Sequence, residues 1–319
     1  MTLLNPNRLR ASKILPLVVI VGPTAVGKTE SAIKLAEWFD GEIVSADSRL
    51  LYCGMNIGTA KPSLQERSRV PHHLIDVSPP DQGWSLAVYK NAATQAIKDI
   101  HARNHLPFLV GGTGQYIRAI IEQWDIPIAQ PNMQLRSLLE KWGHRESGER
   151  LHQRLAILDP EAAKTIDPRN LRRTVRAIEV ILTTGKRFSS LRGRGPSHYN
   201  LLTIGLTRPR AELYNRIDAR IQKMIDSGLI EEVKSLLDKG YASDLPTLSA
   251  IGYGEIISYL NGKSTLAEAV AQMKRRTRIF VRRQANWFKL DDPEISWYLM
   301  HPAIEDEIAT RIRDWMNDT

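Results

Sequence analysis

Cysteine is almost missing from the chain. Cys53 is the only one in 319 residues, which excludes an intrachain disulfide framework and fits a reducing compartment. Apolar runs long enough to span a bilayer are missing too. Residues 1–13 are polar, and the apolar run from Ile14 leads straight into a glycine-rich loop, so no signal peptide is expected. The resulting expectation is a soluble cytoplasmic protein with no membrane partner. An acidic residue is absent where a nucleotide hydrolase usually places one. The strand pattern at 107–110 ends in Gly111-Gly112-Thr113-Gly114, and Leu74-Ile75-Asp76 is a poor substitute behind Pro71-His72-His73. This weakens an ATPase reading. Internal repeats and long low-complexity segments are also absent.

Positive charge is abundant. Lys and Arg number 44 against 35 Asp and Glu, a net charge of +9, and the pI is about 9.6. This favours an anionic partner larger than one diphosphate. With 42% hydrophobic and 25% charged residues, the chain is globular and can bury a sizeable core. Its length suits one large domain or a core with an inserted module.

The most informative segment is Gly22-Pro23-Thr24-Ala25-Val26-Gly27-Lys28-Thr29, which fits G-x-x-x-x-G-K-[ST]. The run 17–21 before it reads as a buried strand. Ala32, Leu35, Ala36 and Phe39 recur after it at helical spacing, and Gly41 reads as a stop. Strand, loop and helix are the context this motif needs. The loop N–H groups would hold a polyphosphate, Lys28 would supply a cation, and the Thr29 hydroxyl can hold Mg²⁺.

Further strands are expected at 42–46, 107–110 and 201–206, with helices at 87–102 and 115–123. Such alternation predicts a parallel sheet covered on both faces. Residues 124–199 carry little strand signal and read as a helical insertion that leaves through Arg192-Gly193-Arg194-Gly195-Pro196. The expected organisation is a core of 1–123 and 200–319 around an insertion of 124–199. A single long helical run is expected over 209–239.

Asp47 would sit at the carboxyl end of a core strand, facing the phosphate loop. There it would accept a proton or orient an acceptor, or else serve as a helix cap or second-sphere Mg²⁺ ligand. Adjacent His72 and His73 point to opposite faces of an extended segment, which favours structural roles. In the insertion, Leu171, Val175, Ile178 and Leu182 form an apolar stripe opposite Arg169, Arg172, Arg173 and Arg176, a face suited to phosphate contacts. Residues 274–289 hold seven Lys/Arg and no acid, with Met273, Thr277, Phe280, Gln284 and Trp287 on one stripe. Gln284 there is either a buried amide satisfied by backbone or a functional group. Arg216 and Arg220 would close on a diphosphate or form a surface pair near Asp218, and spacing alone favours the surface pair.

Taken together, these pieces resemble the tRNA dimethylallyltransferases (isopentenyl-diphosphate:tRNA transferases). The matching residues are the phosphate loop, Asp47-Ser48, Tyr52, Gly54-Met55, Ile57-Gly58-Thr59-Ala60-Lys61-Pro62, Pro71-His72-His73-Leu74-Ile75-Asp76 and Val110-Gly111-Gly112-Thr113-Gly114. Arg176-Ala177-Ile178-Glu179-Val180, Ile251-Gly252-Tyr253 and Arg283-Gln284 with Trp287 follow in the right order, so the resemblance covers nearly the whole chain. Gly58-Thr59-Ala60-Lys61-Pro62 is much more specific than the phosphate loop.

The resemblance implies a P-loop kinase-like α/β core with a helical insertion that grips the anticodon stem-loop of tRNA. The implied reaction passes a dimethylallyl group from dimethylallyl diphosphate to N6 of the adenosine just 3′ of the anticodon, and diphosphate leaves. Residues 22–29 and Arg220 would hold the diphosphate, with Mg²⁺ on Thr29. Asp47, Thr113, Lys28 and Arg220 would be catalytic. Asp47, Ser48, Arg49, Leu50, Thr113, Arg172, Arg173, Arg176, Ile251, Gly252, Tyr253, Arg282, Arg283, Gln284 and Trp287 would meet the tRNA, with Gln284 reading a base edge. A monomer is expected. The competing readings are a P-loop nucleoside or small-molecule kinase, and a non-catalytic RNA-binding protein. A transferase acting on free adenine nucleotides is a nearer relative, but it would need neither basic segment.

Overall fold

The computed structural model describes residues 14–126, 132–191 and 197–318. Residues 1–13 and the expected exit at 192–196 lie outside them. The strands are β1 (Leu15–Val21), β2 (Gly41–Ser45), β3 (His72–His73), β4 (Leu106–Val110), β5 (Tyr199–Thr207) and β6 (Ser296–Leu299). They form one sheet in the order β3-β2-β4-β1-β5-β6, and every pairing is parallel. A parallel sheet needs cover on both faces, which is why its strands are apolar without alternation. Leu17 to Val21 are all fully buried. From β1 the chain moves outward past β4's place to β2, and later returns to β1's other side as β5. The strand order reverses at β1, and open α/β sheets bind ligands at the carboxyl ends of strands beside such a point. The architecture is a P-loop kinase-like α/β core.

The helices are α1 (Lys28–Trp38), α2 (Leu64–Arg69), α3 (Leu86–Ala102) and α4 (Gly114–Ile121), then α5 (Met133–Glu146), α6 (Gly148–Leu158), α7 (Pro160–Thr165) and α8 (Leu171–Thr184). After β5 come α9 (Arg210–Asp226), α10 (Leu229–Asp238), α11 (Tyr253–Leu260), α12 (Leu266–Ala285) and α13 (Ile304–Asn317). Helix α1 packs on β1, β2 and β4, α3 packs on β2 and β4, and α13 packs on α1 and β5. The expected continuous run over 209–239 breaks into α9 and α10 at Ser227-Gly228, where the glycine takes φ 94°. A left-handed residue cannot continue a right-handed helix. Strand β6 escaped the sequence reading because it is short and only partly buried. No helix among the described residues is long and apolar enough to cross a membrane.

The chain divides into two compact units, Met1–Ile121 with His198–Thr319, and Glu122–Ser197. Among the described residues of the second unit the regular elements are helical, α5 to α8. Its core includes Leu139, Leu151, Leu155, Ile166, Val175 and Ile178. Leu182, expected on the apolar stripe, is 57% exposed instead. The neighbouring Ile181 packs against that core in its place. Buried Glu179 accepts from Arg136 Nη2 (2.8 Å) and Arg176 Nη1 (3.0 Å), which offsets the loss of water around its charge.

The specific segment 57–62 is held by two charged side chains. Lys61 Nζ, almost fully buried, donates to Tyr52 O (2.8 Å), Asn56 Oδ1 (2.9 Å) and Asp76 Oδ1 (2.5 Å). Glu232 of α10 accepts from Asn56 N (2.9 Å), Ile57 N (2.8 Å), Gly58 N (3.1 Å) and the Tyr253 hydroxyl (2.6 Å). Removing such an acceptor leaves several donors unpaired at once. Glu232→Ala is therefore expected to lower unfolding stability by about 2–3 kcal/mol, and Glu232→Gln by less, because it keeps an acceptor. Urea denaturation of both variants checks this ordering.

Candidate active site

Four strand ends converge on one place. The phosphate loop follows β1, Asp47 follows β2, Gly111-Gly112-Thr113 follows β4, and Arg208 follows β5. The first three border a cavity of about 580 Å³, and Arg208 reaches the phosphate loop at Val26 O. Thr24 and Ala25 line one wall, Asp47, Ser48 and Arg49 a second, and Gly58 and Thr59 a third. Helix α9 supplies Ile217, Arg220, Ile221 and Met224. The expected stripe Met273, Thr277, Phe280, Gln284 and Trp287 faces this cavity along its whole length. Its two polar members are thus cavity-facing rather than lost in a core.

The phosphate loop is held by its carbonyls. Lys28 Nζ donates to Gly22 O (2.9 Å) and Pro23 O (2.8 Å). Arg216 Nε donates to Ala25 O (2.9 Å), and Arg208 Nε to Val26 O (2.8 Å) while its Nη1 pairs with Glu212. The surface-pair reading of Arg216 and Arg220 is overturned. Asp218 is engaged by Arg278 Nη2 (2.8 Å), which leaves Arg216 to the loop and Arg220 to the cavity. Arg208 was not singled out from sequence. Its signal was position, directly after a core strand, the argument that picked out Asp47.

Burial sets the protonation of this cluster. It lowers the pKa of Lys28 from its ordinary 10.5 to about 8, an effect that Asp47 opposes and Arg220 reinforces. Burial also lowers the pKa of Arg220, again opposed by Asp47 and reinforced by Arg216. Asp47 therefore supplies the negative charge that both cations feel.

Asp47 is held in a tight turn. Its Oδ1 accepts from Arg49 N (2.9 Å). Thr113 Oγ1 accepts from Ser48 N (3.1 Å), and Thr113 N donates to Ala46 O (3.1 Å). Arg49 Nη1 reaches Thr247 O (3.2 Å). The structure thus brings Asp47, Ser48, Arg49 and Thr113 together beside the phosphate loop. Leu50 is half-buried, and its carbonyl accepts from Asp76 N (3.1 Å).

Other expected contacts fall elsewhere. Tyr253 is fully buried, with its ring against Gly58 and its hydroxyl on Glu232, so it has no surface to offer a nucleic acid. Gly252 is also buried, and its N–H donates to Glu255 Oε2 (2.8 Å). Only Ile251 of that trio lines the cavity. Gln284, expected at a base edge, is 4% exposed and bonded to backbone at both ends of its amide. Arg282 is exposed and Arg283 lines the cavity, while Trp287 lies against Gly114. In the helical unit Arg172 and Arg173 are exposed, whereas Arg176 is tied to Glu179 and Arg169 to Asp167 (2.8 Å). His72 Nδ1 bonds Val70 O (2.7 Å) and His73 Nε2 meets Glu42 (2.6 Å), the structural roles expected of them.

Residues 50–291 match the family model described as IPP transferase. A tRNA dimethylallyltransferase of Roseiflexus sp. (strain RS-1) is 48% identical over 304 residues, covering 95% of this chain and 100% of the relative. The solved full-length tRNA isopentenylpyrophosphate transferase of Bacillus halodurans superposes with a TM-score of 0.71 at 41% identity, over 95% of this chain and 97% of that one. A eukaryotic dimethylallyltransferase, solved acting on tRNA, gives a TM-score of 0.78 at 26% identity, over 94% of this chain and 77% of that one. With a parallel core that ends in a phosphate loop facing a carboxylate, the chain belongs to the IPP transferase family of tRNA dimethylallyltransferases.

Proposed function

We propose that this chain transfers a dimethylallyl group from dimethylallyl diphosphate to N6 of the adenosine 3′-adjacent to the tRNA anticodon. The observation that carries this reading is one cavity lined by the phosphate loop, the Asp47 carboxylate and Arg220, with buried Lys28 within electrostatic reach of both charges. A leaving diphosphate needs preorganised positive charge, and an exocyclic amine, a poor nucleophile, needs an oriented acceptor for its proton. The C1–O bond of the donor breaks and its electron pair leaves with diphosphate, held by the loop N–H groups, Lys28 and Arg220. The N6–C1 bond forms, and the N6 proton passes to Asp47. Thr113 keeps the Asp47 turn in place. The apolar wall of Ile217, Ile221, Met224 and Met273 suits the five-carbon group. The kinase and non-catalytic readings are not favoured, since the family and its named relatives are transferases.

Mg²⁺ belongs to the same proposal. No group of three or more His, Cys, Asp or Glu side chains among the described residues is arranged to hold an ion. A donor set of the Thr29 hydroxyl, diphosphate oxygens and water fits Mg²⁺, which keeps several waters beside substrate phosphates. When bound, the ion would neutralise charge on the leaving diphosphate. A monomer working in the cytoplasm completes the reading. Of Arg169, Arg172, Arg173 and Arg176, the first and last are tied to acids, so exposed Arg172 and Arg173 are the ones offered to RNA phosphates, and unpaired anticodon-loop bases lower the cost of flipping the target base.

Asp47→Asn keeps the acceptor for Arg49 N while removing the base. We expect single-turnover transfer to fall by about 10²–10⁴ with donor affinity nearly unchanged. Retained turnover would remove Asp47 from the chemistry.

The lowered pKa of Lys28 gives a pH signature. In donor-free protein the ammonium is lost as pH rises through about 8. Above that pH, donor binding must take up a proton, so its Kd should rise roughly tenfold between pH 7 and 9. Stability runs the other way. Between the folded and unfolded pKa values the unfolded chain binds the extra proton, so this group adds stability as pH rises. Lys28→Arg should flatten the affinity profile, as titration calorimetry across pH would show.

Replacing Arg172 and Arg173 together with Ala should weaken tRNA binding and reduce the log–log salt slope by about 0.7–0.9 per lost phosphate contact. Donor affinity should not change. Filter binding at several salt concentrations tests this, and an unchanged slope would return the face to solvent.

A further inference from the structure

Gln284 joins two sides of the cavity with the two ends of one amide. Its Oε1 accepts from Thr24 N (2.9 Å) on the phosphate loop. Its Nε2 donates to Gly112 O (3.0 Å), one residue before Thr113. A backbone N–H can only donate and a carbonyl can only accept, so the partners fix which way the amide points. The approach is close enough that a Cβ on Gly112 would lie 2.2 Å from Nε2. A side chain at position 112 would therefore push the amide off Gly112 O.

Thr113 carries the connection onward by holding Ser48 N (3.1 Å), beside Asp47. Direct contacts thus run from the phosphate loop through Gln284, Gly112-Thr113 and Ser48 to Asp47. One end would bear the leaving diphosphate and the other would face the amine. Bond formation needs the reacting atoms about 3–3.5 Å apart, and a displacement of about 1 Å can cost about a hundredfold in rate. With one donor and one acceptor committed to backbone and the side chain 4% exposed, the amide has little surface left to read a base edge.

We propose that Gln284 is a positioning residue: it sets the distance between the diphosphate loop and the Asp47 turn. The role rests on the transfer reaction proposed above. Gln284 sits on α12 beside Arg283, which lines the same cavity, and exposed Arg282. RNA that docks on those arginines would bear on the helix that carries the strut.

The test uses the full-length protein and two variants. Gln284→Leu keeps approximate size and loses both bonds. Gln284→Glu keeps an acceptor for Thr24 N–H and loses the donor to Gly112 O. With saturating dimethylallyl diphosphate and unmodified tRNA, both variants should transfer about a hundredfold more slowly than wild type. The KM values for donor and tRNA should stay within about threefold of wild type. Without substrates, the Thr24 amide should exchange hydrogen about tenfold faster in Gln284→Leu, and near the wild-type rate in Gln284→Glu. A base-reading role would instead place the loss in the KM for tRNA and relax discrimination against guanosine at the target position. A packing role would lower the melting temperature while the folded fraction transfers at the wild-type rate. Either result overturns the proposal, as does unchanged Thr24 exchange. If Gln284→Leu does not fold, Gln284→Glu decides by the same rate criterion. Wild-type protein in the same assay separates the two ideas, because failure of wild type to transfer refutes the reaction while amide exchange still reports on the strut.

Discussion

Concentrating cations around one loop is the constraint on which the rest of this site depends. Lys28, Arg208, Arg216 and Arg220 all approach the phosphate loop or its cavity. Without an anion they repel one another, and burial adds a desolvation penalty that falls on Lys28 and Arg220. Three kinds of group offset this. Loop carbonyls accept from Lys28, Arg208 and Arg216, Glu212 pairs with Arg208, and Asp47 supplies a nearby negative charge. A multiply charged oxyanion would offset the repulsion more fully, because it meets several cations at once. Such a cluster of cations favours a polyanionic ligand.

Parallel topology explains why this convergence is possible. All six strands point the same way, so their carboxyl ends lie along one edge of the sheet. Central strands β1, β4 and β5 bring the loop, the glycine turn and Arg208 side by side. Backbone bonds tie those ends further: Gly111 N donates to Ile20 O (3.2 Å) and Ala46 N to Val110 O (2.7 Å). The strand ends beneath the cavity are therefore tied into the sheet ladder, and Thr24, beyond the end of β1, is held by Gln284 instead. Preorganisation of this kind is what electrostatic stabilisation of a leaving group requires.

What the sequence revealed was whatever is local. The phosphate loop, the strand before it and the helix after it are contiguous, and the periodic stripe on α12 is a short-range pattern. Asp47 was legible because strand ends carry function in this topology. The partners of those residues were not legible. Thr24 and Gln284 are 260 residues apart, and Ala25 and Arg216 are 191 apart. The pattern leaves Gln284 as either a buried amide satisfied by backbone or a functional group; the structure shows the backbone bonds and names their partners, Thr24 N and Gly112 O. Tyr253 shows the converse. An aromatic in a family motif near a basic helix reads as a surface for bases, yet packing against Gly58 and a bond to Glu232 take it out of solvent. Arg176 resembles its neighbours in sequence but is neutralised by Glu179 three residues on.

The most specific segment of the sequence is not where the chemistry sits. Gly58 and Thr59 form part of the cavity wall, but Lys61 turns away to bind Tyr52 O, Asn56 and Asp76. Glu232 fills the concavity made by three successive N–H groups at 56–58, a geometry that elsewhere receives a phosphate. Here the anion belongs to the protein. That internal carboxylate satisfies the three N–H groups and holds the segment that contributes Gly58 and Thr59 to the cavity wall. Such a segment tolerates few substitutions, because each of its residues fits a backbone geometry or a buried charge. The catalytic groups need only a position and a charge. Sequence specificity in this chain therefore marks the scaffold that shapes the cavity, while the chemistry is carried by residues whose types are common and whose placement is not.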